Sequence, residues 1–238
     1  MKSNNISSGL AAMPLDRAIR MAGAALLSLM VLSGGSGIAA AWLQSAALER
    51  QNEAGALLAN HELADMMHDA IRSDVLAGFE AATPKSQIKS ADVAKDFDEH
   101  LKALRAGIAA DGSYTGSAEV AAVTSKLVAP MEAYAASATQ IINRIKTDPK
   151  GARSDLPGFF DQFHTLETSM AKASDAITAN AKQASDAGAS VGMIAMIALV
   201  LIVLLGIVGT SALVMMAIRH VIRPIGGLAD TMRELGAG

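Results

Sequence analysis

An all-α fold follows from three observations. Just over half of the 238 residues are apolar, yet aromatics supply only 3% and alanine carries much of the count. Alanine is the best helix former and lets helices approach closely. Six prolines leave long unbroken stretches, no long stretch alternates with the period of two of a half-buried strand, and apolar residues instead recur at steps of three and four.

Residues 1–20 form a polar start that carries Lys2, Arg17 and Arg20. The stretch 21–43, MAGAALLSLMVLSGGSGIAAAWL, has no charge and is long enough to cross the roughly 30 Å hydrocarbon core of a bilayer. A basic start, AALLSLMVL and the small residues around IAAA also fit a secretory signal peptide. The long lead-in and the apolar run continuing to Trp42 and Leu43 favour an uncleaved span, with Trp42 as an interfacial anchor. Residues 187–218 are again uncharged and form a second span. Arg219 and Arg223 follow it, so the positive-inside rule puts both ends in the cytoplasm and residues 44–186 outside an inner membrane.

The outer region reads as four helices. The first span continues outward to about Ala82, where AATPKSQIKS with Pro84 breaks it. Ser90 is placed to cap a second helix with the stripe Val93, Phe97, Leu101, Leu104 and Ile108, ended by DGSYTG. A third runs from about Ser117 through Leu127, Met131, Tyr134, Ala138, Ile141 and Ile145, kinked at Pro130. The loop TDPKGARSDLPG leads to a fourth with Phe159, Phe163, Leu166, Met170, Ala173, Ile177 and Ala184, which enters the second span. Short connections predict an up-down four-helix bundle, suited to pairing with a second copy as a homodimer.

Function classes are narrowed by what is missing. A net charge of −3 gives no sign of nucleic-acid binding, and the lack of cysteine excludes disulfides and thiolate chemistry. HELAD, from His61, lacks the second histidine of a zinc-protease HExxH motif, and SGGSG lies inside an apolar span, where small residues let helices pack. Glu62 and Glu167 lack a histidine three residues on, so a di-iron bundle is not encoded. The thirteen methionines fall mostly in spans and stripes, as core filling. No enzymatic group, resident cofactor or metal is expected.

The most suggestive constellation is HELADMMHDAIRSD. His61, Asp65, His68 and Arg72 fall within about 60° on one helix, at the edge of the face made by Leu57, Ala64, Ile71 and Val75. These four are the candidate ligand-binding residues: Arg72 suits a carboxylate in bidentate fashion. The histidines and Asp65, with His100 or His164, would alternatively offer metal or haem donors. The plainer reading is a hydrogen-bonded edge with ordinary i,i+3 and i,i+4 helix pairs.

Past the second span, RHVIRPIGGLADTMRELGAG carries a basic membrane exit, the Arg223-Pro224 pair and a stripe of Ile225, Leu228, Met232 and Leu235. Residues 219–238 thus resemble the first amphipathic helix of a HAMP linker. Together with the two spans, and with ADMMHDAIRSDVL in the first outer helix, the chain resembles bacterial methyl-accepting chemotaxis proteins. That resemblance implies a homodimeric sensor of an extracytoplasmic stimulus, small molecule or protein. It implies signal transmission through Arg223 to Leu235, and a HAMP connector, second helix and kinase-control module beyond Gly238. The same linker serves histidine kinases and membrane cyclases, and a membrane-anchored haem- or metal-binding bundle is a separate alternative.

Overall fold

The computed structural model describes residues 15–219, and every regular element among them is helical. The order is α1 (Leu15–Ala81), α2 (Ser90–Gly112), α3 (Ala118–Thr124), α4 (Val128–Ile145), α5 (Pro149–Ser154) and α6 (Leu156–Ala217). The predicted linker residues Arg223, Pro224, Ile225, Leu228, Met232 and Leu235 lie outside the described residues.

Three local expectations are corrected. Ser90 is not a cap but the first helical residue. The Asp92 and Val93 amides already donate to the Lys89 carbonyl, so Lys89 takes the cap position without a side-chain bond. The third helix is not kinked at Pro130 but broken before it, at residues 125–127. Proline has no N–H and its ring crowds the carbonyl four residues back, so the ladder stops upstream. It restarts where the Met131 amide donates to the Leu127 carbonyl. The loop before the last helix contains α5, started by Asp148, whose Oδ1 accepts from the Gly151 amide at 2.9 Å, and by Pro149 in the first turn. Arg144 holds this corner, donating to both Asp155 oxygens at 3.1 and 2.9 Å and to Asp148 at 3.1 Å.

The chain divides into two compact units. One comprises Ala46–Gly188. Its core is a single apolar cluster to which α1, α2, α4 and α6 all contribute, among them Ile71, Leu104, Ile141 and Leu166, each fully enclosed. The predicted stripes of α2, α4 and α6 are buried as expected, except that Ala184 is only half-buried. The close approach of α1 and α2 depends on Gly107: a Cβ there would stand 2.9 Å from the Ala64 Cβ. An ion pair also links α2 to α4, with Arg105 Nε and Nη2 donating to Glu132 at 3.0 and 2.7 Å.

The other unit, of which residues 15–45 and 189–219 are described, is apolar outward as well as inward. Met30, Val31, Ile197 and Leu205 all face out, and so does Trp42. α1 and α6 each contain a stretch long and apolar enough to cross a membrane. The two helices meet there: a Cβ on Gly206 would stand 3.7 Å from Leu29 Cδ2, an ordinary contact distance.

Candidate functional site: two buried histidine layers

His61 and His68 lie seven residues apart, two turns along α1, which brings both rings onto the same core-facing side. Both are almost wholly enclosed, at 2% and 1% exposure. An enclosed imidazole is tolerable only if its nitrogens find partners or it stays uncharged, and the two solve this differently.

At His61 every polar atom is used. Its Nδ1 is 2.7 Å from Asp111 Oδ2 and its Nε2 is 3.2 Å from the Met170 carbonyl. A carbonyl only accepts, so Nε2 carries a proton; with Asp111 ionised, Nδ1 donates as well, and both nitrogens of a protonated ring are matched. Asp111 itself has no exposure. Its other oxygen accepts from Asn60 Nδ2 at 2.7 Å, and Asn60 Nδ2 also donates to the Gly107 carbonyl at 2.9 Å. This layer therefore ties α1 to α2 and to α6. Burial works against the charge on His61, but the Asp111 bond and charge, helped by the Met170 carbonyl, win and hold its pKa above the ordinary value.

At His68 the ring lies flat on Phe163, centroids 4.1 Å apart and 9° from parallel, with the edge of Tyr134 at 4.9 Å. Its Nε2 is buried and has no hydrogen-bond partner. The neighbouring Tyr134 hydroxyl is spent elsewhere: it donates to the backbone carbonyl of His68 at 2.9 Å. Burial lowers the His68 pKa and outweighs the charges of Asp65 and Asp69, the Phe163 carbonyl and Glu167, which all favour protonation. The surroundings thus disfavour a proton on His68 where they favour one on His61. Burial likewise pushes the Tyr134 phenol far up.

Of the other predicted residues, Asp65 is exposed. Arg72 is half-buried, with its guanidinium 4.6 Å from the Phe163 centroid and 3.1 Å from Asp69 Oδ1. The i,i+3 pair of the plain reading is therefore present. His100 and His164 are engaged separately, with Asp74 Oδ2 at 2.7 Å and Glu167 Oε2 at 2.9 Å. Burial raises the Asp74 carboxyl and the His100 bond opposes it. Among the described residues no three His, Asp or Glu side chains come together as a donor set for a metal ion. Three open clefts of about 220, 510 and 370 Å³ are lined, respectively, by residues around Gly78 and Lys146, around Asn60 and Thr115, and around Arg50 and Asn180. None of the four strip residues lines them.

Sequence reasoning missed the partners. Asp111 extends the α2 stripe by one more step of three beyond Ile108, so a carboxylate on an apolar face was the available signal. Tyr134, Phe163 and Met170 were read correctly as core, but their pairing with a histidine carries no sequence mark. Comparison with protein-family models, with curated proteins and with solved structures gives no match.

Proposed function

We propose that this chain is the sensory and membrane-crossing half of a bacterial chemoreceptor. In this reading Ala46–Gly188 is an up-down four-helix bundle on the outer side of the inner membrane, α1 and α6 cross the bilayer, and both termini are cytoplasmic. The bundle receives a stimulus and α6 carries a small displacement inward to a HAMP-type linker; the chain itself performs no catalysis. A ligand acts in such a device only through its different affinity for two packings.

The observation that carries the reading is the continuity of α6. It runs without a break from Leu156, past the core residues Phe163 and Met170, to Ala217 in the apolar stretch. A shift of the core layer therefore has a stiff path out of the unit. Contacts between the helices support the up-down order. His61 and His68 meet Met170 and Phe163, and Asn60 and Asp74 meet Asp111 and His100, so numbers rise along α1 as they fall along α6 and α2. His68 and Gly78 instead meet Tyr134 and Ile145, rising together along α1 and α4. A homodimer is supported by the far side of α1, where Ala59, Leu63 and Met66 are exposed opposite Leu57, Ala64 and Ile71.

The test is a chimera that joins the chain to a complete HAMP unit and kinase-control module. Phe163→Leu is expected to reset kinase activity, and three glycines inserted after Ala184 are expected to abolish that response. Kinase activity indifferent to Phe163 in the uninterrupted chimera would overturn the proposal. Oxidative crosslinking of Met66→Cys in membranes should give a covalent dimer where Glu99→Cys does not; equal yields would remove α1 as the pairing face.

A further inference from the structure

We propose that His68 is a proton-binding site, and that taking up a proton there releases α6 from α1 at the Phe163 layer while the His61 layer stays fastened. The inference concerns the packing of Ala46–Gly188 alone and holds whatever output the chain serves.

The geometry sets the condition. Neutral His68 fits its place because a flat, uncharged ring can stack on Phe163 at 4.1 Å with Tyr134 against its other side of the layer. The cost of that fit is the unpartnered Nε2. A doubly protonated ring would be a cation with a buried Nε2–H that meets no acceptor in this packing. Asp65 and Asp69 on α1 and Glu167 on α6 act on the ring from a distance, but Asp69 is already paired with Arg72 and Glu167 with His164. From α4 Tyr134 faces it, and that hydroxyl is occupied by the His68 carbonyl. Arg72 already lays a positive charge on Phe163, so a charged His68 would add a second cation to one ring. Within the layer the Phe163 carbonyl favours the proton, but Nε2 makes no hydrogen bond to it or to any other group in this packing. To reach Asp65 or Glu167 the imidazolium must leave the stack, and the α1–α6 contact at Phe163 opens.

His61 decides what kind of movement results. Both of its ring nitrogens already have partners, and acid favours the protonated form that donates to both, so its bond to the Met170 carbonyl persists. Met170 lies two turns further along α6 than Phe163. One end of the contact is pinned and the other is freed, so proton uptake tilts α6 about the His61 tie rather than detaching it. This asymmetry is what a helix-borne signal needs: a local protonation turned into a change of helix direction.

The test uses the full chain in lipid nanodiscs. The absence of cysteine lets spin labels go only where they are placed, at Ser73→Cys on α1 and Thr165→Cys on α6, both exposed. Labelled chains are diluted with unlabelled ones, so that only distances within a chain are read. Between pH 7.5 and 5 the distance is expected to change by about 1–2 Å, the usual scale of helix shifts in switching. Imidazole NMR is expected to show His68 titrating with the midpoint of that change. His68→Phe should abolish the change, and His164→Ala should retain it; His68→Leu replaces the phenylalanine variant if that one does not fold. A constant distance, a change that survives loss of His68, or one that follows His164 overturns the proposal.

Discussion

The two histidine layers differ by two helical turns and little else in burial, yet one favours a proton and the other disfavours it. Around His61 the chain supplies a carboxylate and a helix carbonyl, so a proton on each ring nitrogen is matched. Around His68 it supplies aromatic faces, so a proton on Nε2 has nowhere to go. The lesson is that enclosure alone does not fix the state of a histidine; the hydrogen-bonding character of the groups enclosing it does. Their pH dependences accordingly oppose one another. His61 binds its proton more readily in the fold than in the unfolded chain, so its contribution to stability is full below about pH 6.5 and fades as pH rises through its raised folded value. His68 binds its proton less readily in the fold. Its contribution is full above about pH 6.5 and is lost as pH falls toward its lowered folded value.

The contrast can be broken most severely at Asp111. Asp111→Ala leaves the His61 imidazolium enclosed without its counter-charge and should cost about 3–5 kcal/mol, read as lost protection of α2 amides in native-state hydrogen exchange. Replacing both partners, His61→Leu with Asp111→Leu, should recover most of that loss. If the double variant is as damaged as the single one, the layer is not held as a buried ion pair.

Next in size is the helix approach that lets the His61 layer form. Gly107→Ala should destabilise by about 1–3 kcal/mol, because its new Cβ meets another Cβ and not a flexible side-chain end. Adding Ala64→Gly should restore part of it in the same exchange experiment; no rescue would place the damage elsewhere than this contact.

His68→Phe sharpens the comparison from the other side. It removes the orphaned nitrogen while keeping an aromatic ring on Phe163, so at pH 7 it should stabilise by about 1 kcal/mol, and by more at pH 5. Thermal melts should then rise in the variant from pH 8 toward about pH 6.5, as the His61 contribution becomes full, without the His68 loss that the natural chain shows on further acidification. A variant that loses as much stability as the natural chain below about pH 6.5 would contradict the assignment. The smallest effect is expected at the surface pair: Arg105→Ala should cost less than about 1 kcal/mol, since both side chains remain about half exposed.

Composition and periodicity by themselves determined the helical class, the two membrane-length apolar stretches, the stripes of α2, α4 and α6, and the position of His61 and His68 on one face of α1. These are properties of spacing along the chain, and spacing is what a helix converts directly into a face. Tertiary structure alone decided the rest. The third helix broke ahead of Pro130 because the ladder fails at the carbonyl the ring crowds. Arg144 drew Asp148 and Asp155 together and so gave α5 a corner to form in. Above all, Asp111 and Met170 came to His61 from 50 and 109 residues away, while Phe163 and Tyr134 came to His68. The histidines were legible in the sequence and their protonation was not, because a pKa belongs to the groups packed around a ring and the chain does not write those groups next to it.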